Sequence, residues 1–339
     1  MTVTAPTSMP ADMLGRALRD VRMSMTDRCN FRCPYCMPRS HFGPGHRFVP
    51  GAAALSAGEL VRLAAVFMSL GATKIRLTGG EPLLRRDLGR IVAGMAALPV
   101  PDLALTTNGA LLARRAGELR SCGLHRVTVS LDSLHPDVFA AMSDVGVPVS
   151  DVVAGIRAAR DAGLAPIKLN CVVRRGVNDS GIAELVEFAC AEQLQVRFIE
   201  YMDVGTTNGW RREDVVTGRE ILERLAVSHR LEELPPEPGA VARRYRLAGG
   251  AEIGLITSVS RPFCGDCSRA RLSVDGRLFT CLFAADGLDL RAPLRAGASD
   301  EELRDIVRGR WAARDDRYSE LRAAQTDAPQ RVEMSYIGG

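Results

Sequence analysis

The sequence predicts an α/β protein, an incomplete (β/α)6 TIM-like barrel of parallel strands with a smaller C-terminal domain that covers the barrel mouth. Short β-branched and apolar stretches alternate with longer helical stretches over residues 21–203. Strands joined by crossover helices pair in parallel with right-handed connections. After Tyr201 the pattern changes to turns rich in Pro and Gly, which indicates a separate C-terminal unit.

The individual elements follow from this alternation. Predicted strands cover residues 21–25, 74–78, 103–107, 126–131, 167–173 and 196–201. Predicted helices cover residues 57–70, 86–98, 111–122, 151–162 and 182–193. The first helix has a capping box, because Ser56 precedes it and Glu59 follows three residues later. An open, doubly wound sheet remains an alternative, because periodicity does not reveal barrel closure.

The C-terminal third has a different organisation. The stretch LEELPPEPGAVARRYRLAGG predicts turns and a short hairpin, followed by a strand at 253–257 and a helix at 300–314. We therefore expect a flexible N-terminus at 1–17, a barrel at 18–230 and a C-terminal domain at 231–339.

The composition and charge of the chain bear on its binding partners and its location in the cell. The 339 residues are 46% apolar and 25% charged, with a net charge of +4, too small to indicate nucleic-acid or membrane binding. Residues 1–20 lack the apolar core of a signal peptide, and no stretch approaches the ~20 apolar residues of a membrane span. We expect a cytoplasmic protein.

Cysteine and lysine are distributed unevenly. Six of the nine cysteines form two groups, and the other three lie in apolar stretches as expected for core residues: Cys122, Cys171 and Cys190. Of the 44 basic residues only Lys74 and Lys168 are lysines. Both lie in predicted strands whose neighbours carry polar motifs.

Those motifs end several predicted strands. TGGEP, TTNG, SLDS and EYMDVG each follow or end a strand, and the first cysteine group follows the first strand. In barrels of this kind the carboxyl ends of the strands carry the active site. The sequence therefore predicts one site at this rim.

The first cysteine group, Cys29, Cys33 and Cys36, supplies three thiolates. Structural zinc requires four ligands, so a zinc site would need His41 or His46; a disulfide with a spare thiol is a further alternative. A [4Fe–4S] cluster held by three cysteines, with one iron left open, fits better.

The second group, Cys264, Cys267 and Cys281, also has three cysteines, and zinc there would need Asp266 or a distant ligand. We favour a second [4Fe–4S] cluster, in which the iron without a protein ligand would bind a substrate. Basic residues of several strands would give the site a cationic lining suited to a polyphosphate; they are Arg22, Lys74, Arg76, Lys168, Arg197, Arg269 and Arg271. No P-loop motif is present in the sequence.

The CxxxCxxC spacing, followed by TGGEP, resembles the radical S-adenosylmethionine superfamily. The resemblance implies that the methionyl group of the cofactor binds the open iron and that Gly79, Gly80 and Glu81 hold its amine. Glycine there would let the backbone approach a ligand closely. Reduction of the sulfonium would then release a 5′-deoxyadenosyl radical.

Within that superfamily the ordered motifs RMSMTDRCNFRCPYCMP, KIRLTGGEPLLR, VSLDS, RFIEYMDVG, PFCGDCSRARLS and the final IGG resemble the GTP 3′,8-cyclase family, over about residues 18–339. The resemblance implies two [4Fe–4S] clusters and S-adenosylmethionine lined by Tyr35, Gly80, Ser130 and Met202. It implies GTP binding by Arg22, Lys74, Arg76, Thr107, Lys168, Arg269, Ala270 and Arg271. Catalytic roles would fall to Arg22, Arg197, Arg269, Arg271, Gly338 and Gly339.

The implied reaction takes hydrogen from ribose C3′ of GTP, joins that carbon to C8 of the base and opens molybdenum cofactor biosynthesis. Implied partners are a reductant such as flavodoxin or ferredoxin and the next enzyme, cyclic pyranopterin monophosphate synthase; the chain would be a monomer or homodimer. Ser268 stands where the family often has Asn. Rival readings are a peptide-modifying or maturase radical enzyme with an accessory cluster, and a non-catalytic electron-transfer module.

Overall fold

The computed structural model describes residues 9–237, 239–322 and 331–339. In this part of the chain, twelve strands form a single sheet with the order β12-β11-β10-β1-β2-β3-β4-β5-β6-β9-β8-β7. The strands are β1 Asp20–Ser24, β2 Lys74–Thr78, β3 Asp102–Thr107, β4 Arg126–Ser130, β5 Lys168–Val173, β6 Gln195–Glu200, β7 Leu231–Glu233, β8 Arg243–Leu247, β9 Glu252–Ile256, β10 Arg269–Leu272, β11 Arg277–Phe279 and β12 Leu288–Asp289.

Strands β1 to β6 occupy the centre of the sheet in chain order and pair in parallel. The six predicted strands are confirmed, each within one residue at either end. The strand order does not reverse within this central part, whereas a doubly wound sheet requires such a reversal. The prediction of an α/β protein with parallel strands is therefore confirmed.

Helices follow most of these strands. They are α1 Ala57–Ser69, α2 Leu88–Ala96, α3 Leu112–Ser121, α4 Pro136–Ser143, α5 Val149–Asp161, α6 Ile182–Ala191, α7 Gly218–Leu225, α8 Arg291–Arg295, α9 Asp300–Ala312, α10 Tyr318–Leu321 and α11 Met334–Ile337. The capping box of Ser56 and Glu59 forms as predicted. The sequence interpretation missed α4 and α7 and the short helices α8, α10 and α11. Apolar residues of the central strands and of the helices between them form the core, in which Leu77, Leu105 and Phe198 are fully buried.

The C-terminal strands extend the same sheet at both sides. The predicted hairpin is present as β7 and β8, and β9 pairs in parallel with β6. Strand β10 pairs in parallel with β1, so that Arg271 lies beside Arg22. The predicted second unit thus contributes strands to the sheet that carries the site, which local sequence patterns did not reveal.

The N-terminal stretch has defined contacts. We expected residues 1–17 to be flexible; residues 1–8 lie outside the described residues, but Asp12 and Arg16 are buried and joined by an ion pair of 2.6 Å. Arg314 also donates to Asp12, at 3.1 Å. Arg16 and Arg314 donate to the main-chain oxygens of Cys264 and Cys267, each at 2.7 Å. This stretch therefore supports the second cysteine group.

Among the helices of the described residues, none combines the length and apolar character needed to cross a bilayer.

Candidate active site

A cavity at the carboxyl ends of the central strands contains both cysteine groups. Its wall includes all six grouped cysteines: Cys29, Cys33, Cys36, Cys264, Cys267 and Cys281. The two groups meet because β1, which leads into the first, pairs with β10, which follows two cysteines of the second. The convergence predicted for the strand ends is thus present.

The first cysteine group lies in a loop that its own polar groups brace. Arg32 donates to the main-chain oxygens of Cys29 (2.7 Å), Phe31 (2.8 Å) and Phe42 (2.9 Å). Burial raises the pKa of Cys29 to about 12, and it also raises the pKa of Cys33 and Cys36. Without positive charge these groups stay thiols; a bound metal cluster would supply that charge.

The thiols of the second cysteine group differ from one another in the direction of their pKa shifts. Burial opposes ionisation of Cys267, but Arg269 and Arg314 lower its pKa to about 6. Arg269 also donates to the Cys267 sulfur at 3.3 Å. Burial raises the pKa of Cys281 to about 11. No three His, Cys, Asp or Glu side chains in the described ranges are placed to hold one metal ion between them, whereas the thiolates of a [4Fe–4S] cluster each bind a different iron.

The two glycines of TGGEP pack against the first cysteine loop. A Cβ on Gly80 would lie 2.2 Å from the Arg28 oxygen, and one on Gly79 would lie 2.2 Å from the Thr26 oxygen. Gly80 N donates to the Thr26 oxygen at 2.6 Å, and Glu81 N to the Arg28 oxygen at 2.7 Å. Close approach to the cysteine loop, in addition to any ligand, therefore requires glycine here.

The Glu81 carboxylate is bonded within the protein. It accepts hydrogen bonds from Thr107 Oγ1 (2.7 Å), Asn108 N (2.8 Å) and Leu83 N (3.0 Å). Burial raises its pKa to about 7. Glu81 thus joins the loop after β2 to the loop after β3, and the side chain of Thr107 is engaged in the same contact.

Asp132, which sequence reasoning did not single out, lies behind the first cysteine loop. It accepts a hydrogen bond from Tyr35 Oη at 2.7 Å and another from Val172 N at 2.8 Å. Burial raises its pKa to about 6. Its position in the SLDS motif, at the end of a predicted strand, could have indicated Asp132 as a site residue. The contact fixes Tyr35 between Cys33 and Cys36.

Three arginines lie side by side across the sheet. Arg271 is the register partner of Arg22, and Arg22 is the partner of Arg76. Burial, together with neighbouring guanidinium groups, lowers the pKa of Arg22 to about 9 and that of Arg76 to about 10. It also lowers the pKa of Arg271. The row of like charges is electrostatically unfavourable without an anion.

More basic groups lie on the same inner face, nearer the amino ends of the strands. Burial lowers the pKa of Lys168 to about 7, with Arg197 and Arg126 adding to the effect. It lowers the pKa of Lys74 to about 8, although Asp20 lies 3.3 Å away and opposes the shift.

Arg126 was not predicted as a site residue. It donates twice to Asp102, at 2.8 and 2.6 Å. Its position on the inward face of β4 was the available signal, because it alternates with Thr128 and Ser130.

Several buried donors on this face have no hydrogen-bond partner among the residues that the structure describes. They are Arg22 Nε, Arg76 Nε, Arg126 Nη1, Arg269 Nε and Arg271 Nη1. A buried polar group without a partner costs about 1–3 kcal/mol. These five donors outnumber the unpartnered acceptors nearby, Asp20 Oδ1 and Asn170 Oδ1, and therefore indicate a site for an anion.

The predicted site residues separate into two sets. Those in the cavity wall, besides the cysteines, are Arg22, Tyr35, Gly79, Gly80, Glu81, Thr107, Ser130, Met202, Arg269, Arg271 and Gly339. Those outside that wall are Lys74, Arg76, Lys168, Arg197, Ala270 and Gly338. Arg76 donates to Thr106 (2.8 Å) and Thr128 (3.1 Å). Ala270 is fully buried in the core behind β10.

The C-terminal glycines reach the ends of β1 and β2. Gly338 has φ +79°, and a Cβ there would lie 2.3 Å from Thr78 Cγ2. Thr78 Oγ1 donates to the Gly339 oxygen at 3.3 Å. Glycine at 338 is therefore required both by the backbone conformation and by the lack of space.

Comparison with known proteins finds two family models along the chain. The model of the radical SAM superfamily matches residues 23–189, and that of Molybdenum Cofactor Synthesis C matches residues 194–320. A protein from Acidothermus cellulolyticus named GTP 3′,8-cyclase is 51% identical, over 97% of this chain and 98% of its own length. The chain belongs to the GTP 3′,8-cyclase family.

Other members of the GTP 3′,8-cyclase family are similarly close. The relative from Xanthomonas axonopodis pv. citri is 48% identical over 99% of this chain and 100% of its own, and that from Staphylococcus aureus is 43% identical over 97% and 98%. Among solved structures, Streptococcus suis SuiB bound to S-adenosylmethionine has a TM-score of 0.61 at 14% identity, over 92% of this chain and 70% of that one. That likeness concerns the fold alone.

Proposed function

We propose that this chain converts GTP to (8S)-3′,8-cyclo-7,8-dihydroguanosine 5′-triphosphate, the first step of molybdenum cofactor biosynthesis. The observation that best supports this proposal is a set of buried guanidinium donors that lack a partner in the described part of the chain and lie beside two groups of three cysteines. Family membership names the reaction, and the cationic interior supplies a reason why a nucleoside triphosphate is the substrate. The chain would do so as an incomplete (β/α)6 barrel at 18–230 with a C-terminal domain at 231–339.

The residues present fit two [4Fe–4S] clusters and S-adenosylmethionine. Each cysteine group offers three sulfurs to the same cavity, so that each cluster would keep one iron without a protein ligand. Cys29, Cys33 and Cys36 would hold the cluster that binds the cofactor, lined by Tyr35, the 79–81 loop, Ser130 and Met202. Cys264, Cys267 and Cys281 would hold the second. When bound, these groups would supply one-electron chemistry and the acceptor for a hydrogen atom of the substrate.

The protein's own residues would bind and orient GTP. The row of Arg271, Arg22 and Arg76 and the deeper Lys74, Lys168 and Arg197 would neutralise the triphosphate. Each guanidinium can make two parallel hydrogen bonds to phosphate oxygens, which a lysine cannot. Arg22, Arg269 and Arg271 line the cavity directly, and from there they would hold the ribose and base in one orientation.

The walls of the cavity would protect the reaction. Strand ends, both cysteine loops and the tail surround the cavity, which would limit access of water and oxygen to reactive carbon centres. Gly338 and Gly339, placed between the ends of β1 and β2, would complete the wall beside Arg22. An electron from a protein such as flavodoxin or ferredoxin, and hand-over to cyclic pyranopterin monophosphate synthase, would connect the enzyme to its pathway.

The test is anaerobic turnover of the reconstituted protein with dithionite, S-adenosylmethionine and either GTP, ATP or no nucleotide. We expect 5′-deoxyadenosine and a new isomer of GTP mass only with GTP, both measured by mass spectrometry. The variant Cys36→Ser should form neither, whereas Cys190→Ser, outside both groups, should behave as the parent protein. Deoxyadenosine without nucleotide dependence would favour a peptide-modifying enzyme, and none from a fully loaded protein would refute the proposal.

A further inference from the structure

Asp203, in the loop that follows β6, is a junction between distant parts of the chain. Its carboxylate accepts hydrogen bonds from Tyr318 Oη at 2.5 Å, Arg322 Nε at 2.9 Å and Arg331 Nη1 at 3.0 Å. Arg331 also donates to the main-chain oxygen of Asp203. The side chains of Asp203, Arg322 and Arg331 are 13%, 12% and 6% exposed, so these are largely buried charges.

Aromatic packing extends this junction to the second cysteine group. Phe283, two residues after Cys281, stacks on Tyr318 with ring centroids 4.4 Å apart. The guanidinium of Arg331 lies 4.3 Å from the Tyr318 ring centroid, and that of Arg322 lies 5.4 Å from the Phe283 centroid. Ion pairs, aromatic stacking and cation–π contacts therefore hold four side chains around Asp203: Phe283, Tyr318, Arg322 and Arg331.

A second contact joins the same loop to the C-terminal segment. Glu333 accepts hydrogen bonds from Thr206 N and Thr206 Oγ1, both at 2.9 Å, and from Thr207 Oγ1 at 3.0 Å. Arg331 and Glu333 are separated by one residue and lie a few residues before Gly338. The two contacts therefore fix the segment from which the terminal glycines extend.

The position of the junction in the sheet gives it a role. Asp203 follows β6, whereas Phe283 follows β11, and five strands, β1 to β5, lie between β6 and the β10–β11 pair. The Asp203 junction therefore joins two distant sides of the sheet that carries the cavity. Cutting it would leave the sheet intact and release the tail.

We propose that Asp203 is a positioning residue that closes the cavity by holding the C-terminal segment 331–339 and the second cysteine loop together. The proposal rests on the proposed function, because the closed cavity is the one assigned to GTP. Replacement of the carboxylate by an amide would leave Arg322 and Arg331 largely buried without a countercharge among the described residues, which is strongly unfavourable. The tail would then leave its place at Thr78, and cyclisation would fall more than cleavage of S-adenosylmethionine.

The first experiment measures the tail directly. Hydrogen–deuterium exchange of peptides covering 331–339 is compared among the parent protein, Asp203→Asn, Glu333→Gln and the control Asp305→Asn. Asp305 pairs with Arg308 on the exposed face of α9, where an ion pair contributes little. We expect at least about tenfold faster exchange at 331–339 in both junction variants and no change in the control. Parent-like exchange in Asp203→Asn would overturn the proposal, whatever the enzyme's activity.

The second experiment asks whether Asp203 acts through the tail. Asp203→Asn is combined with deletion of Gly338 and Gly339, and the ratio of cyclised product to 5′-deoxyadenosine is measured. We expect the ratio to fall at least about tenfold for either change alone and less than about twofold further when they are combined. Independent, multiplicative losses would refute positioning through the tail, and Asp203→Glu should recover part of the ratio. Absence of product from the parent protein would instead refute the proposed function while the exchange result stands.

Discussion

Lys168 provides a prediction about pH that depends on the proposed triphosphate site. Burial, with Arg197 and Arg126 nearby, lowers its pKa from 10.5 to about 7 in the protein without ligand. A bound triphosphate would favour the ammonium and raise that pKa. Binding of GTP should then take up a proton above pH 7, and affinity should fall as pH rises.

The size of the effect follows from linkage. If the pKa of Lys168 returns to its ordinary value on binding, the dissociation constant for GTP rises about 25-fold between about pH 6.5 and about pH 8.5. Lys74, whose pKa is about 8, would add about fourfold over the same interval if it behaves in the same way.

The assay is equilibrium binding of GTP under anaerobic conditions at constant ionic strength, for the parent protein, Lys168→Met and Lys168→Arg. Lys168→Met should bind weakly and lose the larger part of the pH dependence, while Lys168→Arg should stay charged and lose it without the same loss of affinity. Titration of GTP itself is common to all three proteins and cancels in their ratios. Equal pH slopes for parent and Lys168→Met would refute the reasoning.

Three further predictions concern the cavity wall and residues that border it. Gly338→Ala should lower the rate of cyclisation at least about tenfold, because its Cβ would clash with Thr78 Cγ2 and φ is positive; Thr78→Ser, which removes that methyl group, should restore part of the rate, and no restoration would contradict the clash. Cys29→Ser and Cys267→Ser should each lower iron content from about eight to about four atoms per chain, whereas Cys122→Ser should not; unchanged iron in either variant would remove that group as a ligand set. Tyr35→Phe removes the hydrogen bond of 2.7 Å to Asp132 that fixes the first cysteine loop. The electron paramagnetic resonance spectrum of the reduced first cluster should therefore change while the iron content stays constant. A spectrum identical to that of the parent protein would show that this hydrogen bond does not constrain the cluster.

Local sequence patterns predicted the central strands and several helices of the fold. Strand β2 has the predicted bounds, because its β-branched and apolar residues end at a Gly-Gly pair that cannot continue a strand. Arg269 and Arg271, which the sequence predicts as part of a cationic lining, both line the cavity. Short periodic segments bounded by clear turn residues were thus readable from the sequence.

Long-range pairing was not readable in the same way. Nothing in the sequence near β10 indicates that it pairs with β1, because the two strands of this parallel pair are far apart in the chain. The twelve residues between β9 and β10, which include Cys264 and Cys267, show no periodicity that would indicate the pairing. Glu81 illustrates the same limit, because its side chain accepts hydrogen bonds from Thr107 and Asn108 at the end of the neighbouring strand β3. The Asp203 junction, built from four segments, could not be assembled from motifs alone.

The pairing of β10 with β1 has a consequence for how the proposed site would work. One short strand carries Arg269 and Arg271 and directly follows Cys264 and Cys267, so the cationic row and the second cysteine group share a rigid element. The first cysteine group follows β1, the partner of that strand. Distances between the two proposed clusters and the proposed triphosphate site would therefore be set by neighbouring strands of one sheet, without closure between separate domains. What remains free to order or release the site is the segment 331–339, which the Asp203 junction holds.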